Sequence, residues 1–125
     1  MIAKTIKYKD FNDVEREEKF FFNLTKAEVA EMELSIEGGL GEKIKQIVAA
    51  KDTPEIIKVF KELVLKAYGE KSLDGKRFRK VDDSGMPLSI AFSETEAYSN
   101  LFMELATDDN AAAEFVNGIM PSDNK

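Results

Sequence analysis

The chemistry open to this chain is narrow, because it contains no histidine and no cysteine. It therefore lacks the usual general base near neutral pH, the commonest metal ligand and any thiol nucleophile or disulfide. The 24 Asp and Glu side chains still permit catalysis by paired carboxylates. However, the acids at 15–18 fall on a charged strand or turn. The adjacent aspartates at 82–83 and 108–109 fall in loops or at a helix start, where an aspartate is usually a cap. We predict no catalytic residue, no cofactor and no metal site.

Two glycine-containing stretches resemble ligand-binding loops only superficially. Residues 38–43 (Gly-Gly-Leu-Gly-Glu-Lys) lack the spacing before Gly-Lys-Ser/Thr that a phosphate-binding loop requires. The pair Asp74-Gly75 lacks the alternating acids and the closing glutamate of a calcium loop. We interpret both stretches as turns that end or connect regular elements.

One local cluster of basic residues surrounds the aromatic side chain of Phe78. Basic side chains with an interleaved aromatic can bind single-stranded nucleic acid. The chain as a whole carries a formal net charge of −6 at pH 7, which disfavours contact with a phosphate backbone. We therefore favour a solvated loop anchored by Phe78 in the core. A small nucleic-acid-binding regulator that uses residues 71–80 remains the alternative function. The cluster comprises Lys71, Lys76, Arg77, Arg79 and Lys80.

The first 24 residues have the composition of β-strands. Lysines alternate with β-branched and aromatic residues up to Tyr8, and a polar break at 10–13 precedes a second run that contains three adjacent phenylalanines. Two such runs about a short turn predict an antiparallel hairpin. Alternation places Phe20 and Phe22 on the face that packs against helices and Phe21 on the opposite face. Phe21 is therefore a candidate exposed contact, although a strand covered on both faces fits the pattern as well.

Helical signals begin at Thr25, which forms a capping box with Glu28 and opens a helix to about residue 37. A short helix is predicted at 41–50. Thr53 and Pro54 then open the most regular helix of the chain, because a proline is well tolerated at the first helical position. Its apolar residues recur at helical spacing and form one broad stripe. They are Ile56, Ile57, Phe60, Leu63, Val64, Ala67 and Tyr68.

The carboxy-terminal part of the chain is predicted to contain two more helices. Ser93 and Glu96 form a second capping box, and the helix that they open continues to residue 106. Asp108 or Asp109 caps a last helix that ends at Gly118. The intervening residues, 70–88, are polar and contain two glycine turns, so we predict loops there.

These elements predict a mainly α (α+β) fold, with about five helices and an amino-terminal β-hairpin packed on the helical bundle. We expect a single domain over residues 1–121, with the hairpin at 1–24, the helices at 25–118 and a disordered tail at 122–125. No apolar run approaches the length of about 20 residues that spans a bilayer, and the amino terminus has no signal-peptide core. We therefore expect a cytoplasmic protein without a membrane partner.

Charge divides the chain into two parts. Residues 1–81 carry 17 basic and 15 acidic side chains, a net charge of +2, whereas residues 82–125 carry 1 basic and 9 acidic side chains, a net charge of −8. An acidic region repels nucleic acid and can attract a basic protein partner. Solubility alone would also account for this charge.

Several segments resemble the tail assembly chaperones of long-tailed (siphovirus-type) bacteriophages and prophages of Gram-positive bacteria. They are YGEKSLDGKRFRK at 68–80 and FSETEAYSNLFMELATDDNAAAEFVNGIMP at 92–121, with further similarity in the helix at 55–67 and in FFFNLTKAE near the hairpin. The similarity covers most of the chain. The sequence departs from the family's pattern at 81–90, so the resemblance does not predict the conformation of that loop.

The resemblance implies a non-enzymatic role. Such chaperones bind the tape measure protein and keep it soluble while tail-tube subunits assemble around it. They act in the cytoplasm of the bacterial host and are not expected in the mature virion. Many such chaperones are also made as a longer form by ribosomal frameshifting, and the resemblance implies that such a form would contact the tail tube protein. A chaperone that coats a long client is also expected to self-associate.

The candidate partner-binding residues are apolar side chains near chain ends or outside the main helical stripes. We predict that the helices from 94 to 118 form the client-facing surface, or a surface that another copy covers when the client is absent. Acidic groups there would steer a basic partner, and apolar groups would supply affinity. Alternatively, Phe115 and Ile119 close the core and the acids only solvate it. The candidates are Met103, Phe115, Ile119, Met120 and Phe21.

Overall fold

A computed structural model describes residues 1–35 and 54–121. Within these residues the chain forms four strands and five helices. The strands are β1 (Ile2–Lys9), β2 (Glu15–Phe22), β3 (Tyr68–Lys71) and β4 (Phe78–Arg79). The helices are α1 (Lys26–Ser35), α2 (Pro54–Ala67), α3 (Leu88–Ser93), α4 (Glu96–Thr107) and α5 (Asp109–Ile119).

The predicted amino-terminal hairpin is confirmed. Strands β1 and β2 pair antiparallel along their whole length, from Ile2 opposite Phe22 to Lys9 opposite Glu15. The turn is closed by Asp10, whose carboxylate accepts hydrogen bonds from the backbone N–H groups two and four residues ahead, at 2.9 and 3.0 Å. Asp13 adopts a positive φ of 63°, a conformation that aspartate tolerates better than most residues.

The prediction of a mainly helical bundle is wrong, because the hairpin is half of a four-stranded antiparallel sheet in the order β1-β2-β3-β4. Strand β3 continues directly from α2 and pairs with the end of β2, with Phe21 opposite Gly69. Strand β4 then pairs with β3. The range 25–118 is therefore not wholly helical. The helices pack on one face of this sheet instead of forming a bundle to which a hairpin is added.

Alternation in the strands separates an inner face of the sheet from an outer face. On β1 and β2 the inner face carries Ile6, which is 7% exposed, and Phe22, which is fully buried, and its apolar residues join the core cluster. The outer face of β1 carries exposed residues. Helices α3, α4 and α5 contact the sheet. Gly118 of α5 lies so close to β1 that an added Cβ would be 2.8 Å from Ile2 Cδ1.

The core is rich in aromatic rings. Phe22 lies at its centre, with ring centroids 5.1 Å from Phe115 and 5.8 Å from Phe92. Tyr68 stacks on Phe92 at 4.2 Å with an angle of 9° between the rings. These contacts join the sheet to α3 and α5, because each ring belongs to a different element. Burial raises the pKa of Tyr68, as expected for a phenol that is held among other rings.

Two of the predicted helix caps are confirmed. The backbone N–H of Thr25 donates to Glu28 Oε1 at 2.8 Å and the backbone N–H of Glu28 donates to Thr25 Oγ1 at 3.2 Å, which completes the capping box of α1. The Asp108 carboxylate accepts from the first backbone N–H groups of α5.

The predicted box of Ser93 with Glu96 is wrong. Thr95 caps α4 by accepting from the backbone N–H of Tyr98 at 3.1 Å, and Ser93 is instead the last residue of α3. The predictions for residues 36–53 and for the tail at 122–125 lie outside the described residues.

Gly69 is required by the close approach of β3 to β4. A Cβ at this position would lie 2.5 Å from the carbonyl oxygen of Arg79 and 2.6 Å from Cε2 of Phe78. Because the carbonyl belongs to the paired strand, it cannot move without breaking the ladder. We expect Gly69→Ala to lower the free energy of unfolding by about 1–3 kcal/mol, measured by urea unfolding. Lys71→Ala, at an exposed position of the same strand, should change it by less than about 0.5 kcal/mol. Equal effects of the two substitutions would contradict this view of Gly69.

Candidate partner-binding surface

Two of the five candidate residues are part of the core. Phe115 and Ile119 lie on the buried side of α5 and are 1% and 0% exposed. The ring of Phe115 packs on Phe22, and the carbonyl of Ile119 accepts a hydrogen bond from the backbone N–H of Leu24 at 2.9 Å. The alternative interpretation, in which these residues close the core, therefore describes their position. Neither side chain is accessible to a partner in this structure.

Met103 has the opposite environment, because it lies on the solvent side of α4 and is 55% exposed. Helical spacing places Asn100 and Thr107 beside it, and places Glu96 two turns away on the same side of the helix. We call these four residues the α4 face. One apolar side chain among polar neighbours is the arrangement of a binding anchor, although single exposed apolar residues are also common on ordinary surfaces.

The α4 face adjoins strand β1. Asn100 donates from its side-chain amide to the carbonyl of Lys7 at 3.2 Å. Glu104, one turn further along α4, forms an ion pair with Lys4 at 3.3 Å. These contacts hold α4 against the inner side of the hairpin, so the orientation of the α4 face relative to the sheet is defined.

The two remaining candidates are half-buried. Met120 follows α5 directly and packs against the core. Phe21 lies on the outer face of the sheet. The structure therefore does not bring the five candidates together into one surface.

Phe21 belongs to a set of residues that sequence reasoning did not assemble. Its Cα partner across the sheet is Gly69, and the ring of Phe78 leans over the same glycine. Lys19 precedes Phe21 on the same face, and Lys71 is the Cα partner of Phe78. We call Lys19, Phe21, Lys71 and Phe78 the outer sheet patch. The alternation of β2 signalled Phe21, but no signal in the sequence placed it on the same side of Gly69 as Phe78, because that placement depends on strands β3 and β4.

A groove accompanies the outer sheet patch. It has a volume of about 560 Å³ and is lined by residues 18–21 of β2 and 68–71 of β3. It arises because only the last two residues of β2 pair with the first two residues of β3, and the two strands do not pair beyond that point. Aromatic and charged side chains therefore share one concave surface.

The basic cluster does not form a continuous surface for nucleic acid. Lys80 is directed inward, where its ammonium donates to the carbonyls of Lys66 at 2.6 Å and Asn23 at 3.1 Å and to Glu28 at 2.9 Å. Arg79 forms an ion pair with Asp83 at 3.0 Å. Two of the five cations are thus engaged in structural contacts, and the nucleic-acid alternative is not supported.

Two aspartates that sequence analysis considered, Asp82 for catalysis and Asp74 for calcium binding, serve local structure. The side-chain hydroxyl of Ser84 and the backbone N–H of Met86 hydrogen-bond to Asp82 and lower its pKa. The backbone N–H of Lys76 and the hydroxyl of Ser72 lower the pKa of Asp74. Both aspartates brace turns. In the parts of the chain that the structure describes, no group of three or more acids is placed to hold a metal ion.

A family model described as phage tail assembly chaperone matches residues 1–124. The chain belongs to this family. No curated protein and no solved structure matches it. The two surfaces described above both place apolar side chains near charged ones. No helix in the described ranges of this tail assembly chaperone is long and apolar enough to cross a membrane.

Lys80 fixes the two-stranded hairpin β3–β4 of the chaperone against α1 and α2. Replacing it with methionine keeps much of the apolar stem but leaves two carbonyls and the carboxylate of Glu28 without their donor. We expect Lys80→Met to lower the free energy of unfolding by about 1–3 kcal/mol, measured by chemical denaturation. Lys76→Met, in the exposed turn of the same hairpin, should change stability by less than about 0.5 kcal/mol. If Lys80→Met were as stable as the parent protein, the proposed structural role of Lys80 would be excluded.

The contact between Lys80 and the Glu28 carboxylate is sensitive to pH, because the carboxylate titrates. Burial would raise its pKa, but hydrogen bonds from the backbone of Thr25 and from Lys80 outweigh burial and lower the pKa below its usual 4.5. A lowered pKa in the folded state stabilises the fold above the unfolded value and loses this contribution as the pH falls through the folded value. We expect the stability difference between the parent protein and Glu28→Gln to be largest near neutral pH and to shrink below pH 4.5, in urea unfolding at several pH values. A difference that stays constant with pH would contradict this expectation.

Proposed function

We propose that this chaperone binds the tape measure protein of its phage and keeps it soluble until tail-tube subunits assemble around it. The observation that carries this proposal is the match of the chaperone family to residues 1–124, because it covers nearly the whole chain. The proposed role is non-enzymatic binding, in the cytoplasm of the bacterial host, and the protein is absent from the mature virion. A longer, frameshifted form would add contact with the tail tube protein.

The distribution of apolar and acidic residues supports a client surface on α4 and α5. Met103 is exposed in the middle of α4, and Met120 is half-exposed after α5. Methionine adapts to varied partners because its side chain is unbranched and polarisable. Phe115 and Ile119 support this surface from beneath, since they hold α5 on the core. We therefore assign client contact to Met103 and Met120 rather than to all four residues.

Charge also supports a client of basic character. Residues 82–121 contain eight acidic side chains and no lysine or arginine, so helices α3 to α5 present charge of one sign. Such a surface accelerates the association of a basic segment and repels an acidic one. The segment recognised on the tape measure protein is thus proposed to be an amphipathic helix with lysine or arginine beside its apolar stripe.

We also propose that the chaperone self-associates. A long client offers binding sites for many copies side by side, so copies of the chaperone meet at high local concentration. Self-association would in addition cover exposed apolar groups such as Met103 before the client is made.

Co-expression with the tape measure protein tests this function. We expect the chaperone to increase the soluble fraction of the client and to be recovered in complex with it. Met103→Asp should weaken the complex by about tenfold or more, because an apolar anchor is replaced by a charge, while its melting curve stays unchanged. Leu73→Asp is the matched control, since Leu73 is fully exposed on the β3–β4 turn and should bind normally.

The outcomes test the chaperone function and the assignment of client contact to α4 separately. A client that remains equally insoluble with and without the chaperone would contradict the function itself. A Met103→Asp variant that binds as well as Leu73→Asp would leave the function intact and refute the assignment to α4. Phe115→Asp should unfold the protein, which distinguishes the core residues from the surface residues.

A further inference from the structure

The two surfaces described above carry charges of opposite sign. The outer sheet patch has Lys19 and Lys71 beside two phenylalanine rings, and among the residues that the structure describes neither lysine forms an ion pair. The α4 face has Met103 and, two turns away on the same side of the helix, Glu96, in a region of the sequence that contains acids and no bases. One surface therefore offers aromatic rings with positive charge, and the other offers a thioether with negative charge.

The two surfaces of one molecule cannot contact each other. Helix α4 lies against the inner side of the hairpin through the Lys4–Glu104 ion pair and the hydrogen bond from Asn100 to Lys7. Phe21 is on the opposite side of the same sheet, because it alternates with the buried Phe22. Any contact between the surfaces must therefore involve two molecules.

We propose that the outer sheet patch of one copy receives the α4 face of a second copy. Met103 would contact the rings of Phe21 and Phe78, since sulfur–aromatic contacts are favourable. Glu96 would lie near Lys19 or Lys71, where opposite charges favour this pairing over others. This inference rests on the self-association proposed above and names the surfaces that perform it.

The proposed contact is head-to-tail. A symmetric pair of outer sheet patches would bring lysines against lysines, and a symmetric pair of α4 faces would bring no cation to Glu96. Neither arrangement therefore has the charge complementarity of the mixed contact. Each copy in a head-to-tail assembly keeps one surface free at each end, so the assembly can grow into an open array or close into a ring. The α4 face within the array is covered by the neighbouring copy, and a client that binds α4 must displace that neighbour.

Mixing two complementary variants tests the proposal. Lys19→Glu with Lys71→Glu reverses the charge of the outer sheet patch and leaves the α4 face intact, whereas Met103→Lys alters the α4 face and leaves the patch intact. All three positions are exposed, so both variants should melt like the parent protein. By light scattering, the parent protein should form species larger than one chain of 14.1 kDa, and each variant alone should be monomeric. An equimolar mixture should again form species larger than one chain, because it contains one intact pair of surfaces and because its two altered surfaces carry opposite charges.

Three results would overturn the head-to-tail contact. They are a parent protein that stays monomeric at high concentration, a single variant that assembles like the parent, and a mixture that stays monomeric. The double lysine variant should still solubilise the tape measure protein, since its α4 face is unchanged. Loss of assembly with retained client binding would confirm the contact, and retained assembly with retained client binding would refute it while leaving the chaperone function standing.

Discussion

The packing of Phe22 connects the parts of this molecule that are distant in sequence. Its fully buried ring contacts Tyr68 at the start of β3, Phe92 in α3 and Phe115 in α5, with centroid separations of 5.7, 5.8 and 5.1 Å. Because Phe22 is also the last residue of β2 and lies opposite Ile2, one side chain defines the position of the sheet relative to the helices. The outward direction of Phe21 follows from the inward direction of Phe22, so the outer sheet patch depends on the same packing.

The elements that could be predicted from the sequence are those with local causes. The hairpin follows from alternation about a polar turn, and the capping box of Thr25 and Glu28 follows from a spacing of three residues. Strands β3 and β4 have no comparable signal, because β3 has four residues, β4 has two and both lie in a polar, basic stretch. Strand β3 forms by pairing with the end of β2, and β4 forms by pairing with β3. The first of these pairings joins distant parts of the chain, and strand formation depends on such context. A bundle was predicted because that pairing was not visible.

The binding surface was predictable to a similar extent. The exposure of Met103 follows from its position off the apolar stripe of α4, and the outward direction of Phe21 follows from alternation. Phe115 and Ile119 lie near the end of the chain but on the apolar stripe of a short helix, and burial of α5 against β1 and β2 decides their position. Lys71 of the outer sheet patch comes from β3, a strand that the sequence pattern did not reveal. Local periodicity therefore indicated single residues, and the sheet topology determined which residues lie together.

The hydrogen bond from Asn100 to the carbonyl of Lys7 bears on how such a protein avoids misassembly at high concentration. Strand β1 is at one edge of the described sheet, and an open edge is a template for amyloid-like stacking. The amide of Asn100 occupies an acceptor that an incoming strand would need, and three lysines on β1 add charge along the same edge. This edge of the sheet is thereby protected from backbone pairing with other chains, which has no sequence selectivity. Recognition is left to side chains, and side-chain contacts can be released when assembly is complete.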